Sequence, residues 1–436
     1  MATLHEVLRE QVDVRRQEIA DLVREHGSKV ISQVTVEQAY GGMRGVRGLI
    51  CDTSVVDPDK GLSVRGNHLL DIAHIWPEEM FFLLLTGRMP CEDGKKTLQM
   101  ELDRRSQVPS YVWDVLRSMR DDTEPMCMLT TALTVMNTES VFRKWYDMGM
   151  RRDQYWLAML EDGLNLLAKI PVIAAGIYRM RYNHGEPMHW TPGLDLAANY
   201  ANMLGIADPE GAFAKMMRLF LTLHADHEGG NVSAFTCSTV GSALSDAYFS
   251  VASGLNGLAG PLHGLANQEC IKWILDVMEK FGGVPTQEQI REFAWETLRA
   301  GRVIPGYGHA VLRVVDPRFT AIHAFGSKHI DDDPVFKTVD VVFEVVPKVL
   351  QEYSDERVKQ GRHPIANIWP NVDAISGSML YHFGLREMRY YTVLFAVSRV
   401  MGMIAQLILA RAMGAPITRP KSVSTEWVLK QVNEQK

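Results

Sequence analysis

Three histidines and one aspartate lie in loops or at helix ends, where their side chains are free to do acid–base chemistry. They are His227 in HADHEGG, His263 in GPLHG, His309 in PGYGHAVLR and Asp373 in WPNVDAISG. Loops hold binding and catalytic groups more often than core elements do. A carboxylate beside an aromatic wall loses solvation, so its pKa rises and it becomes a better base. The set indicates proton abstraction next to a carbonyl group, with no evident metal or covalent nucleophile.

Two of these histidines are predicted to lie at opposite ends of helices. A helix ending at Gly229 would place His227 in its last turn, where the helix dipole favours a cationic imidazole. A helix beginning at Pro261 would place His263 in its first turn, where the dipole favours a neutral imidazole that donates a hydrogen bond. Both histidines could instead only satisfy backbone groups, and Asp373 could be only a helix N-cap.

Arginines accompany these residues and could hold an anionic substrate. Arg313 and Arg318 follow the glycine-flanked histidine and offer bidentate forks for phosphate or carboxylate, although a solvated loop with surface arginines is the simpler alternative. Arg399 lies within the apolar run 393–410, where a guanidinium needs an anionic partner, either a structural carboxylate or a ligand. Arg419, in ITRPKS, could be a second group of this kind.

A metal site is an alternative with weaker support. His224 and His227 have the spacing to share an ion with Asp226 or Glu228, but the spacing places no third ligand. This reading would make the protein a metal hydrolase. The sequence contains no Walker or dinucleotide-binding fingerprint and no G-x-S-x-G nucleophile motif.

Composition narrows the class of protein. The chain has 436 residues and a formal net charge of −6, which argues against a general binder of nucleic acid or anionic membranes. Its five cysteines are scattered and never spaced as C-x-x-C, so we expect neither a disulfide framework nor a structural zinc site. A reducing compartment fits this cysteine usage.

Hydrophobic residues recur with a period near 3.6 over most of the chain, which predicts a mainly α protein. The predicted helices are 3–26, 75–86, 95–107, 144–180, 211–227, 239–258, 268–280, 286–300, 334–353 and 388–412. Strand-like alternation is limited to 30–36 and 49–54. The run 393–410 has the minimal length of a membrane span, but Arg399 and Gln406 near its middle favour a buried core helix.

Seven motifs follow one another along the chain and together resemble those of the citrate synthase family, of the type found in eukaryotic mitochondria. They are YGGMRG, HADHEGGNVSAFT, NGLAGPLHGLANQE, GRVIPGYGHAVLR-x-x-DPR, WPNVDAISG, YYTVLFAVSR and RPKS. The resemblance covers residues 5–430 and implies a citrate-synthase-like multi-helix fold. It implies a large, dimer-forming helical domain, 1–263 and 379–436, and a smaller inserted helical domain, 264–378, that closes over the substrates.

The resemblance also implies a reaction, in which acetyl-CoA condenses with oxaloacetate and citryl-CoA is hydrolysed to citrate and CoA. This is the entry to the tricarboxylic acid cycle, and it uses acid–base enolisation with no metal and no cofactor, acetyl-CoA being a substrate. Asp373 would remove the methyl proton of acetyl-CoA, and His263 would stabilise the enolate. His309 would donate to the oxaloacetate carbonyl.

The binding residues are implied in the same way, by their positions in the motifs. Oxaloacetate would be bound by His227, His309, Arg318, Arg399 and, from the partner subunit, Arg419. CoA phosphates would be bound by Arg44, Arg152 from the partner and Arg313. The resemblance therefore implies a homodimer with shared active sites. It also implies a location in the mitochondrial matrix, with the targeting presequence outside this chain.

The sequence departs from the family pattern at four places. Phe235 and Ser238 stand where the family has histidines, and Ile375 stands where DAHSG is usual. The segment GRHPIANIWPN, which contains Arg362, is longer than usual and blurs the position of a basic residue expected to contact CoA. None of these falls on a residue with an implied catalytic role. A 2-methylcitrate synthase using propionyl-CoA is the nearest alternative, because one methylene is worth only about 1–3 kcal/mol of discrimination. A non-catalytic helical scaffold is a further alternative, which the presence of all the implied catalytic residues disfavours.

Overall fold

The computed structural model describes residues 3–434, and α-helices make up most of them. In chain order they are α1 Leu4–His26, α2 Val36–Tyr40, α3 Leu69–Ile72, α4 Pro77–Thr86, α5 Glu92–Arg105, α6 Ser110–Arg117, α7 Pro125–Val135, α8 Val141–Asp147, α9 Tyr155–Arg181, α10 Leu196–Leu204, α11 Ala212–Leu223, α12 Val232–Ser242, α13 Ala247–Leu258, α14 Ala266–Phe281, α15 Gln287–Arg299, α16 Pro317–His329, α17 Pro334–Lys359, α18 Asp373–His382, α19 Tyr391–Ala412 and α20 Thr425–Glu434. The 3₁₀ helices are Met136–Glu139, Arg152–Gln154 and Met388–Tyr390. The predicted mainly α fold is confirmed.

A small antiparallel sheet precedes α3 and has the strand order β1-β2-β3. Its strands are β1 Ser54–Asp57, β2 Gly61–Val64 and β3 Asn67–His68, with Ser54 opposite Val64. The strand predicted at 30–36 is wrong, because this segment is irregular until α2 begins, and the one at 49–54 reaches only the first residue of β1. Alternation of apolar residues is not enough for a strand, because a strand also needs a neighbour for its hydrogen bonds.

The long helices α9 and α19 cross in the core. Gly163 allows this crossing, because a Cβ there would come within 2.6 Å of Ile404 Cγ2. Within residues 3–434, one helical stretch, Met388–Ala412, is long and apolar enough to cross a membrane, but 83% of its most apolar window is buried inside the protein. The run around Arg399 is therefore a helix of the protein core, as predicted.

Two predicted helices are each divided into two. The helix predicted at 239–258 is two helices, α12 and α13, because the chain turns at Leu244, which has a φ of 66°, and Asp246 caps the second helix. The helix predicted at 144–180 is divided between α8 and α9. The small residues of α12 and α13 serve close packing, since a Cβ at Gly254 would lie 2.7 Å from Ser233 O.

Helices α14–α18 pack mainly on one another and fall within the predicted smaller domain, except that α18 continues past residue 378 to His382. Helices α14, α16 and α17 contact α18, and α15 contacts α17. This group contacts the rest of the chain where α16 packs on α3 and α11. The division at 264–378 stays a prediction.

Candidate active site

Two loops carry His309 and Asp373, and backbone hydrogen bonds join them directly. The bonds are Gly308 N to Trp369 O at 3.0 Å, Asn371 N to Gly306 O at 2.9 Å and Asp316 N to Pro370 O at 3.1 Å. Gly306 is required for this contact, because it has a φ of 77° and a Cβ there would lie 2.7 Å from Ala374 Cα. The loop 304–316 is thereby fixed against the start of α18.

His309 is held in one tautomer by the backbone that follows it. Its Nδ1 accepts hydrogen bonds from Val311 N at 3.0 Å and from Leu312 N at 2.9 Å. Burial, and then the positive charge of Arg318, lower the pKa of His309 to about 4. The ring is therefore neutral near pH 7 with its proton on Nε2, which makes Nε2–H a hydrogen-bond donor.

His263 lies in a turn before α14, which begins at Ala266 rather than at the predicted Pro261. Its Nε2 accepts a hydrogen bond from Ser233 N at 3.3 Å, which leaves the proton of a neutral ring on Nδ1. Burial, and then the charge of Arg399, lower the pKa of His263 to about 4. The predicted neutral form is found, but the predicted cause, a first-turn helix dipole, is wrong.

The prediction of a cationic His227 in the last turn of a helix is wrong. Helix α11 ends at Leu223, so His227 lies in the irregular segment beyond it. Its pKa is lowered well below the usual histidine range by burial, and then by the charges of Arg318 and Arg399. Its Nε2 is buried and has no hydrogen-bond partner among the described residues. A neutral imidazole whose Nε2 has no hydrogen-bond partner among the described residues therefore lies near the two arginines.

Arg399 is a buried cation without a carboxylate partner. It is 2% exposed, its Nε donates to His224 O at 3.2 Å, and its guanidinium carbon lies 4.7 Å from the Phe395 ring centre. Burial lowers its pKa to about 10, so it stays charged at neutral pH. No ion pair joins it to a carboxylate within residues 3–434. Of the two partners expected from the sequence, a ligand anion is the one this geometry favours.

Arg318 differs, because it forms a buried ion pair with Asp316. Its Nε donates to Asp316 Oδ1 at 3.0 Å and its Nη2 to Asp316 Oδ2 at 2.7 Å. Asp316 also accepts a hydrogen bond from Arg318 N as the N-cap of α16. The charge of Arg318 is thus compensated by a direct ion pair, whereas Arg399 forms no such pair with any residue that the structure describes.

Asp373 is the first residue of α18 and is half-buried. Burial raises its pKa to about 6, although the charge of Arg318 acts in the opposite direction. Its backbone N–H donates to Asn371 Oδ1 at 2.9 Å, whereas its carboxylate accepts no hydrogen bond from the part of the chain that the structure describes. A carboxylate in this state can accept a proton from a ligand at neutral pH.

The structure brings His227, His263, His309, Asp373, Arg318 and Arg399 into one electrostatically coupled group. The rings of His227 and His309 have centres 5.5 Å apart, and the rings of His263 and Phe395 have centres 6.4 Å apart. The charges of Arg318 and Arg399 both act on the pKa of His227 and of Asp373. Six residues from distant parts of the sequence therefore form a single site.

Of the four other arginines, Arg313 lies at the edge of this group, because its charge helps to lower the pKa of His309, and the other three lie outside it in the described chain. Arg313 is exposed, and its Nη1 donates to the carbonyl oxygens of Val311 and Leu312, both at 2.8 Å. Arg152 donates through Nη2 to Gly414 O at 3.0 Å. Arg44 and Arg419 are exposed in irregular segments at the two ends of the chain. Their expected binding roles stay predictions.

Two residues that support the site were not identified from the sequence. Ser233 orients His263, and Asn371 contacts both loops. The Trp-Pro-Asn sequence signals a turn and could have indicated Asn371. Ser233 has no signal of this kind.

His224 is held in the core by contacts of its own. Its Nδ1 lies 2.8 Å from Phe220 O, and its ring stacks on Phe220 with centres 4.2 Å apart. Across residues 3–434, no group of three or more His, Cys, Asp or Glu residues could hold a metal ion. The ligand set that the metal-hydrolase alternative requires is not assembled around His224 and His227.

A mainly α fold with a buried site of neutral histidines, a basic carboxylate and an unpaired arginine defines a class of enzyme that does acid–base chemistry on an anion. The sequence matches the family described as citrate synthase, C-terminal domain, over residues 42–421. The chain therefore belongs to the citrate synthase family, and it is an enzyme that forms citrate by acyl transfer.

Solved structures of archaeal and bacterial citrate synthases share the fold. The enzyme from Pyrobaculum aerophilum has 26% identity and a TM-score of 0.77, over 91% of this chain and 95% of that one. The enzyme from Thermoplasma acidophilum, in a ternary complex with carboxymethyl coenzyme A and oxaloacetate, has 21% identity and a TM-score of 0.74, over 90% and 96%. The Thermotoga maritima enzyme has 21% identity and a TM-score of 0.71, over 90% and 96%. The citrate-synthase-like fold is thereby confirmed.

Proposed function

We propose that the enzyme condenses acetyl-CoA with oxaloacetate and hydrolyses the resulting citryl-CoA to citrate and CoA. The observation that carries this proposal is the presence of a buried cation that forms no ion pair within the described chain, Arg399, in the same site as a carboxyl of raised pKa, Asp373. Such a site attracts an anion and holds a base beside it. The Thermoplasma acidophilum relative, crystallised with oxaloacetate and a CoA derivative, supports the choice of substrates.

Oxaloacetate is proposed to bind between the two buried arginines. Arg399 has no carboxylate partner of its own, so a substrate carboxylate supplies the missing charge. The Nε2 of His227, which is unpartnered within residues 3–434, and the Nε2–H of His309 would form hydrogen bonds with the other polar groups of oxaloacetate. His309 would donate to the ketone oxygen, where negative charge develops as the new bond forms.

Acetyl-CoA is proposed to lose its methyl proton to Asp373. His263, with its proton on Nδ1, would donate to the thioester oxygen and stabilise the enolate without carrying a full charge. The enolate carbon would then attack the ketone carbon of oxaloacetate, and the hydrogen bond from His309 Nε2–H would stabilise the alkoxide that forms until water protonates it, while Asp373 returns the methyl proton to solvent. Water would then cleave the thioester of citryl-CoA, which gives citrate and free CoA. The proposal needs no metal and no cofactor.

The active site is proposed to be shared between two copies of the chain. The segments at both chain ends expose large apolar side chains, among them Ile50 at 85% and Leu429 at 60%. They contact each other through a hydrogen bond from Tyr40 Oη to Thr425 Oγ1 at 2.8 Å. Apolar surface of this kind suits a subunit interface. Arg152 and Arg419 would reach the partner's site. Light scattering coupled to gel filtration tests this, and a monomer at micromolar concentration would contradict it.

Residues 264–378 are proposed to close over the substrates. In this structure Arg313 N donates to Pro58 O at 2.8 Å, and Gly61 lies against the ring of Pro317. These contacts join loop 304–316 to the hairpin of β1 and β2, which belongs to the proposed large domain. Small-angle scattering with and without oxaloacetate measures closure, and an unchanged radius of gyration would contradict it.

We also propose the eukaryotic mitochondrial type and a location in the mitochondrial matrix. The support is the resemblance of the seven motifs, and it is independent of the site geometry. Imaging of the tagged full-length protein in its own cells tests the location, and a signal outside the organelle would contradict it.

The proposed reaction is tested by release of free thiol from acyl-CoA in the presence of oxaloacetate. We expect turnover with acetyl-CoA to exceed turnover with propionyl-CoA by roughly tenfold or more, since one methylene is worth about 1–3 kcal/mol. Preference for propionyl-CoA would identify a 2-methylcitrate synthase instead. No thiol release from folded protein with either substrate would favour the non-catalytic scaffold.

A further inference from the structure

We propose that Asn371 is a positioning residue that fixes His309 and Asp373 relative to each other. The inference rests on the proposed function, in which these two residues act on the two substrates. Asn371 itself touches neither reacting group through its side chain. It acts on the peptide units that carry them.

The side-chain amide of Asn371 connects the two loops through the backbone next to His309 and the backbone of Asp373. Its Nδ2 donates to Gly308 O at 2.9 Å, the carbonyl immediately before His309. Its Oδ1 accepts from Asp373 N at 2.9 Å. One partner is an acceptor and the other a donor, so the orientation of the amide is fixed by its surroundings.

The backbone of Asn371 adds a third contact, because its N–H donates to Gly306 O at 2.9 Å. Gly306 and Gly308 have φ values of 77° and 91°, a region that glycine adopts freely. The segment before His309 therefore has little stiffness of its own. Contacts from outside the loop must set its position, and Asn371 supplies two of them.

No other amide side chain in the same loop has this geometry. Asn367 accepts from Trp369 N through Oδ1 at 2.8 Å, a local turn that does not reach His309 through the side chain. It is buried, 6% exposed, and so its loss costs stability. Asn367→Ala is therefore a matched control. It removes a local asparagine turn but leaves the side-chain connection between the two loops in place.

The experiment compares Asn371→Ala, Asn371→Ser and Asn367→Ala with wild type in thiol release, well below their melting temperatures. Serine at 371 can still accept from Asp373 N across a two-residue turn, but it is too short to reach Gly308 O. We expect kcat of Asn371→Ala to fall on the order of 100-fold, as for a displacement of about 1 Å between reacting groups. Asn371→Ser should recover part of this loss, and Asn367→Ala should keep kcat within about threefold of wild type.

A second readout is the pH profile of Asn371→Asp. The new carboxylate keeps an acceptor for Asp373 N but places an oxygen against Gly308 O and a negative charge beside Asp373. The acid limb of kcat should therefore move to higher pH. A purely structural role would lower the melting temperature and leave the limb in place.

The outcomes separate the two levels of inference. Wild-type protein that releases no thiol would overturn the proposed function and this role with it. An active wild type in which Asn371→Ala keeps kcat within threefold would overturn the positioning role alone. Equal losses in Asn371→Ala and Asn367→Ala would also overturn it, because they would show a general effect of loop stability.

Discussion

The imidazole rings of His227 and His309 have centres 5.5 Å apart and planes inclined at 62°, although one follows α11 and the other precedes α16. The charge of Arg318 lowers the pKa of both. The two neutral imidazoles offer hydrogen bonds, and the guanidiniums of Arg318 and Arg399 offer positive charge. The site can therefore bind an anionic ketone without first taking up protons from solvent.

Replacement of Asp373 by asparagine should remove catalysis and leave oxaloacetate binding intact. The substitution keeps the shape and the backbone bond to Asn371 but removes the base, which contributes roughly 10²–10⁴-fold to such a step. We expect kcat for thiol release to fall by that factor, with the oxaloacetate dissociation constant within threefold of wild type by calorimetry. A variant that retains a tenth of wild-type kcat would assign the base to another group.

The rate should depend on pH through Asp373. Its pKa in the free enzyme is raised to about 6 and the base must be ionised, so kcat/KM should fall about tenfold per pH unit as pH drops below 6. His263 and His309, each with a pKa near 4, stay neutral throughout this range and add no limb above pH 5. Measurement of kcat/KM for acetyl-CoA from pH 5 to 8.5 checks this. A rate that stays flat down to pH 5 would contradict the raised pKa of Asp373.

The sequence predicts the long amphipathic helices and the identity of the site residues better than it predicts their surroundings. Helix α19 is recognisable because its apolar run is long and contains Arg399. Helix α7 is not, because most of it is buried and an evenly apolar segment has no one-sided pattern. The helix ends are also misplaced: α11 stops at Leu223, before the glycines that predict its end.

Charge states were the least predictable feature, because they depend on neighbours that are distant in the chain. A helix-end argument gives His227 a positive charge, whereas burial beside Arg318 and Arg399 makes it neutral. The ion pair between Arg318 and Asp316 joins residues only two positions apart, yet the segment Asp-Pro-Arg would fit an exposed turn equally well. Burial decides between the two, and only the packing of α16 against α11 and α18 supplies it.

The Asp373→Asn variant should also be more stable than wild type at pH 8 and lose this advantage in acid. The folded-state pKa, about 6, lies above the ordinary value of 3.8, so the buried carboxylate is charged at pH 8 at a cost to the folded state. Between pH 6 and 3.8 the folded form is already protonated, and the cost disappears. Melting temperatures of both proteins at pH 8 and 4.5 test this. A melting temperature at pH 8 that is higher for the wild type than for Asp373→Asn would contradict this prediction.

A chelator should leave thiol release unchanged. The ring of His224 is engaged with Phe220, and the part of the chain that the structure describes assembles no three-residue ligand set. Dialysis against EDTA followed by the standard assay is sufficient, with re-addition of zinc as the control. A loss of activity that zinc restores would support the metal-dependent alternative.

Replacement of Arg399 by methionine should weaken oxaloacetate binding far more than it destabilises the free enzyme. In the absence of ligand this guanidinium is buried with no ion-pair partner among the described residues, so its removal relieves an unfavourable burial and offsets the loss of the hydrogen bond from its Nε to His224 O. Loss of a charged partner from a buried pair costs about 2–5 kcal/mol, which is roughly 30- to 5,000-fold in the dissociation constant of oxaloacetate. Calorimetric titration and thermal melting measure the two effects separately.

Arg411 provides the matched control, because it lies in the same helix, is buried, and also has a pKa lowered to about 10. Its Nη2 donates to Gly241 O and Ser245 O, so this arginine already has partners within the chain. Arg411→Met should therefore lower the melting temperature, since buried carbonyl oxygens lose a donor at about 1–3 kcal/mol, and should leave oxaloacetate binding unchanged. If both variants lose oxaloacetate binding equally, the affinity comes from the overall positive charge of the helix and not from an unpaired Arg399.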